Sequence, residues 1–119
     1  MPTDRWKNLE VWKLADDLAF KVYNATKAFP KEELYGITSQ IRRSCLSVPT
    51  NIVEGYSRKG DKELSRFVSI SLGSLAETKY LLHFSNRFNY LDDKTYRDLK
   101  EGYEILGKKL WRFYERIGK

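Results

Sequence analysis

Apolar residues recur along most of this chain in steps of three and four, the period that lines one face of an α-helix. The stretch from Ser39 to Lys59 is the clearest case. Ile41, Cys45, Val48, Ile52 and Tyr56 fall four, three, four and four residues apart. Pro49 interrupts it. An interior proline lacks the N–H that would bond the carbonyl of Cys45, and its ring crowds that carbonyl. The unbroken spacing therefore predicts one helix, kinked near Pro49, rather than two. Ser44, Ser47, Thr50 and Asn51 surround the kink with small polar groups able to satisfy the freed carbonyl.

Three further helices follow from the same pattern. The first is expected to start after Asn8, a good N-cap, to carry Ala15, Leu18, Val22, Ala25 and Phe29 on one face, and to stop at Phe29-Pro30. Pro30-Lys31-Glu32-Glu33 reads as a single helical turn, and Gly36 as the break before the second helix. Gly60 suits a left-handed C-terminal position and Asp61 the N-cap of the third helix. There Leu64, Val68, Leu75 and Leu82 mark one face, while Phe67, Ile70, Leu72, Leu81 and Phe84 spread around the others. Ser69, Ser71, Gly73 and Ser74 keep part of this helix thin, which suits close approach of another helix. Asp92 is a strong N-cap for the fourth helix, with Leu91 and Tyr96 spaced as a hydrophobic staple. Tyr96, Leu99, Tyr103, Leu106, Leu110, Phe113 and Ile117 then form a heptad seam. Four amphipathic helices with short connections and no stretch that reads as a strand predict an all-α fold. It is an antiparallel up-down-up-down four-helix bundle, a single domain over residues 1–119.

Charge sharpens this picture. The formal net charge is +6. Residues 1–41 hold six basic and six acidic groups, and residues 67–99 hold four of each. Residues 42–66 and 100–119 each hold six basic and three acidic groups, so the whole excess lies in those two segments. In an up-down-up-down bundle the second helix ends where the third begins and the fourth ends. Arg58, Lys59, Lys62 and Arg66 should thus converge with Lys108, Lys109, Arg112, Arg116 and Lys119, near Arg5 and Lys7. Arg43 stands about 22 Å from Arg58 along the helix, at 1.5 Å per residue, so the pair Arg42 and Arg43 joins this end only in part. A basic surface favours polyanion partners. Cations at helix C-termini also complement the helix dipole, which explains the placing of Arg58 and Arg116 but not of Lys62 and Arg66 at a helix start.

Other chemistry is sparse. Di-iron bundles need several inward glutamates with paired Glu-x-x-His motifs; here the single histidine is His83, and Glu77 is followed three residues later by Tyr80. There is no glycine-rich phosphate loop and no Cys/His cluster, so no catalytic residue, metal or cofactor is expected. The lone Cys45 reads as a buried core thiol. One cysteine, no long apolar run and no apolar leader core in Met1-Pro2-Thr3-Asp4-Arg5-Trp6 fit a reducing cytoplasm and no membrane span. Glu54 and Glu77 can pair with Arg42 or Arg43 across helices or shape an interface between copies. The run Asn51 to Gly55 reads either as support for the backbone loosened by Pro49 or as a contact surface. Trp6, Trp12 and Trp111 serve either as core and interface anchors or as surfaces for stacked bases.

The order of motifs points to a family. Leu9-Glu10-Val11-Trp12 is followed by Phe29-Pro30-Lys31-Glu32-Glu33 and Thr38-Ser39-Gln40-Ile41-Arg42-Arg43. Ser47-Val48-Pro49-Thr50-Asn51-Ile52-Val53-Glu54-Gly55 and Gly73-Ser74-Leu75-Ala76-Glu77 come next. Together these resemble the bacterial four-helix-bundle family of 23S rRNA intervening-sequence proteins, over about Leu9 to Leu91. That family is similar to the accessory variability proteins of diversity-generating retroelements, basic pentameric bundles that bind nucleic acid and a reverse transcriptase. The resemblance implies a bundle that assembles as a homopentamer. Two functions are consistent with these readings. The first is a non-catalytic oligomer that binds nucleic acid, RNA rather than DNA, through Arg42, Arg43, Arg58, Lys59, Lys62, Arg66, Lys108, Lys109, Arg112 and Arg116. The second is a scaffold for an acidic protein or for a nucleic-acid-bound enzyme such as a reverse transcriptase.

Overall fold

In a computed structural model of the chain, residues 4–119 are described. Residues 1–3, part of the stretch read as lacking a leader core, lie outside them. Four helices make up the fold: α1 (Glu10–Thr26), α2 (Ile37–Ser57), α3 (Asp61–Arg87) and α4 (Asp93–Arg116). Short 3-10 turns at Arg5–Asn8 and Lys31–Glu33 flank α1. Each helix packs on two neighbours, α1 on α2 and α4, α3 on α2 and α4, and the assembly measures 44 × 24 × 20 Å. The pairs run antiparallel. Ser44, Ser47 and Val48 of α2 meet Thr78, Ser74 and Ser71 of α3 in descending order. Glu10 and Leu18 of α1 meet Lys109 and Gly102 of α4. The four-helix bundle expected from the pattern is therefore the observed fold.

The predicted seams form the core. Ile41, Cys45, Val48, Ile52, Tyr103, Leu106 and Leu110 are fully enclosed, and Phe113 is half-buried at the end of its seam. α2 runs continuously through Pro49. The small polar residues around it bond both within α2 and across to α3. Asn51 Nδ2 donates to the Ser47 carbonyl at 2.8 Å, Ser47 and Ser74 hydroxyls lie 2.8 Å apart, and Ser71 Oγ donates to the Val48 carbonyl at 2.6 Å. One turn further on, Gly55 lets the helices close together: a Cβ there would stand 2.8 Å from Phe67 Cβ and 3.2 Å from Leu64 Cδ1. Within the run Asn51 to Gly55, Gly55 is thus tied to the α2–α3 packing, while Asn51 supports the backbone of its own helix.

Several boundaries differ from expectation. α1 is capped by Leu9, because Asn8 is taken up in the preceding 3-10 turn. It ends at Thr26, whose hydroxyl reaches the carbonyls of Val22 and Tyr23, rather than at Phe29. Gly60, not Asp61, is the N-cap of α3, and its φ of 85° with ψ of 157° is a glycine conformation outside the left-handed helical region. Asp61 is the first residue of α3 instead, where its charge suits the helix dipole. Asp92 caps α4 as expected, accepting from the Thr95 N–H at 2.7 Å, and this bond holds its carboxyl below the usual range. Gly73 also departs from expectation: it is exposed, and a Cβ there would meet nothing within 4 Å, so no neighbour among the described residues requires a glycine.

Candidate functional site

The end of the bundle where α2 closes, α3 opens and α4 finishes carries the basic segments together. A cleft of about 620 Å³ is lined by Tyr56 of α2, Asp61 and Leu64 of α3, and Phe113, Arg116 and Lys119 at the end of the chain. A second, of about 240 Å³, places Lys109, Arg112 and Arg116 beside Leu9 and Glu10 at the start of α1. Arg5 completes this end, its guanidinium 5.5 Å from the Tyr56 ring centre.

The candidate cations fall into two groups. One group has partners within the chain. Arg66 Nε and Nη2 both donate to Glu63, at 3.0 and 3.4 Å; this bond draws the Glu63 carboxyl down and the Arg66 guanidinium up in pKa. Arg58 pairs with Glu54 at 3.3 Å and Lys109 with Glu10 at 3.0 Å. Arg58 and Arg66 also lie over one ring, at 5.3 and 4.4 Å from the centre of Phe67, which gives both guanidiniums a shared contact. The other group, Lys59, Lys62, Lys108, Arg112 and Arg116, is in no ion pair among the described residues. All five side chains are exposed.

Arg42 and Arg43 stand apart from this end. Arg42 is half-buried: its Nε donates to Thr26 Oγ1 at 2.9 Å, and its guanidinium lies 4.9 Å from the Tyr23 ring centre. It ties α2 to the end of α1, a role for which the sequence offered no signal beyond an arginine beside an apolar face. Arg43 is exposed and pairs with Glu77 of α3 at 3.4 Å, one of the cross-helix pairings expected. Glu54 pairs within its own helix instead. Cys45 is enclosed, and burial pushes its thiol up to about 12, the setting of an unreactive core cysteine. His83 is exposed, 6.4 Å from the Tyr96 ring.

The opposite end differs in character. Phe29, Tyr90, Phe88 and Phe84 follow one another at ring distances of 5.6, 5.1 and 5.7 Å, passing from the core to the surface, and Tyr90 donates to Glu33 at 3.0 Å. Tyr35 is 92% exposed and Phe88 59%. No helix among the described residues is long and apolar enough to cross a membrane.

Comparison with known proteins agrees with this architecture. The family model described as 23S rRNA-intervening sequence protein matches residues 7–112. A crystal structure of a protein of unknown function from the S23 ribosomal protein family of Bacteroides thetaiotaomicron VPI-5482 superposes with a TM-score of 0.81 at 22% identity, covering 87% of this chain and 97% of that one. None of the curated proteins compared matches the chain.

Proposed function

The chain belongs to the family of 23S rRNA-intervening sequence proteins, and from that membership we propose that it is a non-catalytic RNA-binding protein whose basic end holds phosphates. The supporting observation is the meeting of the two charge-bearing segments around Tyr56, Asp61, Arg116 and Lys119. Five exposed cations stand at or beside this end without a carboxylate partner among the described residues. Phosphate contacts of this kind give affinity without base specificity and are lost steeply as salt displaces them. RNA rather than DNA is part of this proposal, since phosphate contacts alone do not separate the two.

Assembly into five copies, the number the resemblance implies, would multiply weak phosphate contacts into avidity. Its support is the apolar surface left open on α3, where Ile70 and Tyr80 are 42% and 60% exposed on the face that carries the uncovered Gly73. Light scattering at micromolar concentration tests this: a monomer removes oligomerisation, and a dimer or tetramer removes the count.

The binding test is charge reversal. Glutamate at Arg58, Lys62, Arg66 and Arg112 is expected to abolish RNA retention with helicity and oligomer mass unchanged. Because Arg58 and Arg66 also pack on Phe67, a second set at Lys59, Lys62, Arg112 and Arg116 removes charge with less risk to packing. Each lost phosphate contact should lower the salt slope by about one. Binding equal to the parent in both sets would reduce the basic end to a solvated surface. The exposed aromatics at the opposite end, Tyr35 and Phe88 above all, favour the second reading, a protein-interaction scaffold.

A further inference from the structure

The three tryptophans separate into two settings. Trp6 and Trp12 pack edge to face at 4.8 Å, half-buried beside the core. Trp111 has 51% of its surface open. It is not loose: the Tyr114 ring lies 5.5 Å away, tilted by 39°, and backs it. Trp111 also lines a groove of about 340 Å³ between α3 and α4, together with Lys79, Glu104, Gly107 and Lys108. That volume is at the lower end of the range of small-molecule sites, roughly 300–1,000 Å³.

The floor of the groove is informative. Glycine is the costliest residue in a helix interior after proline, so Gly107 in the middle of α4 needs a reason. Packing inside the protomer does not supply one, because a Cβ there would stand 3.6 Å from Leu75 Cδ2, an ordinary contact. What the missing side chain provides is open space next to an exposed indole. Two lysines border that space, and neither Lys79 nor Lys108 is in an ion pair among the described residues. Lys108, Arg112 and Arg116 succeed one another at steps of four, so the same stripe of α4 leads from the groove to the basic end.

We propose that Trp111 is a stacking platform for an unpaired base of a single-stranded RNA whose phosphates follow Lys108 and Arg112, with Lys79 on the far wall. The proposal rests on the polyanion reading of the basic end and adds the form of the ligand. An aromatic face can take any base, but only one whose own face is free, and the bases of an A-form duplex are stacked on each other. A duplex therefore meets only the cations, whereas a single strand meets cations and indole together. Glu104 at the rim repels phosphate and can accept from a base N–H, which orients the base inward and the backbone toward the lysines.

The test compares a short unstructured RNA with a duplex of the same length, by anisotropy, on the full chain. Trp111→Ala is expected to weaken single-strand binding about 5- to 150-fold, the worth of one stacked base, and to leave duplex binding within about twofold. The salt slope should stay as in the parent, since no cation is removed. Gly107→Leu fills the groove while keeping Trp111 and every charge, and should reproduce the selective loss. Equal loss on both ligands, or no loss on either, overturns the proposal. So does a change of oligomer mass in Trp111→Ala, which would make the indole a contact between copies. If the parent binds neither RNA, the polyanion reading falls with it. If the parent binds both and Trp111→Ala binds as well, only the stacking platform falls.

Discussion

Two glycines on neighbouring helices should respond in opposite directions to the same substitution. Gly→Ala in a helix interior gains about 0.8–1.0 kcal/mol of intrinsic helix stability. At Gly73 that gain stands alone, because the added Cβ would meet nothing within 4 Å. Gly73→Ala is therefore expected to stabilise the fold by about 1 kcal/mol. At Gly55 the added Cβ would lie 2.8 Å from Phe67 Cβ and 3.4 Å from the Leu64 carbonyl oxygen. Neither obstacle is the far end of a flexible side chain, so α2 and α3 must move apart where they meet. Overpacking of this kind costs about 1–3 kcal/mol, which turns the gain into a net loss of up to about 2 kcal/mol. The two variants should differ by about 1–3 kcal/mol, several degrees in melting temperature for a chain of this size. Urea denaturation followed by circular dichroism, at matched protein concentration, measures it. Equal stabilities would show that the helices are not in contact at Gly55. A Gly73→Ala variant less stable than the parent would show that another copy covers Gly73.

Other outcomes follow from the core. Leu106→Ala, at a fully enclosed position on the α4 seam, should cost about 2–5 kcal/mol, and a loss below about half a kilocalorie in the same assay would place the seam wrongly. Tyr103 is fully buried and its hydroxyl has no partner among the described residues, so Tyr103→Phe should match or exceed the parent in stability, and a clear loss in melting would contradict that assignment. Cys45 holds its proton to about pH 12 in the folded chain against 9.0 as a free thiol, so its contribution is intact below pH 9 and is lost as pH rises from there toward 12. This slope is at most about 1.4 kcal/mol per pH unit. Cys45→Ala should flatten the alkaline limb of a denaturation series, and an unchanged limb would show that the thiol is not what titrates.

The bundle was legible because its helices bury one stripe each, and burial of a stripe writes a period into the sequence. The α4 seam from Tyr96 to Ile117 and the α2 face from Ile41 to Ile52 are where that period places them. The Asp92 cap was legible for a similar reason, since the cap and the N–H it accepts are three residues apart. Features that depend on a partner distant in sequence were not. Asn51 does give local support, bonding the Ser47 carbonyl, but Ser44 and Ser47 read the same way in sequence, and only the position of α3 shows Thr78 and Ser74 opposite them and Ser71 on the Val48 carbonyl. Thr26 ends α1 through its own back-bonding hydroxyl, and it then receives Arg42 from α2. Gly55 and Gly73 are alike in sequence, yet one is closed by Phe67 and the other open. At the candidate site the convergence of the charged segments followed from topology alone. The exposure of Trp111 did not, because an aromatic one step off a seam can face either a neighbour or solvent.

The division among the cations bears on how the basic end would work. Arg58 and Arg66 have carboxylate partners, but both pairs lie on the surface, where ion pairs contribute little net stability. An incoming phosphate can replace Glu54 or Glu63 at small cost. What would persist through that exchange is the packing of both guanidiniums on Phe67. In the proposed binding the carboxylates would act as place-holders, and the ring would remain as the contact both guanidiniums keep. Lys59, Lys62, Arg112 and Arg116 are exposed and in no ion pair among the described residues, which suits long-range attraction. Phe67 itself is fixed by the close approach of α2 and α3 at Gly55. The close approach at Gly55 therefore bears both on the packing of α2 against α3 and on the position of the ring that Arg58 and Arg66 flank at the basic end.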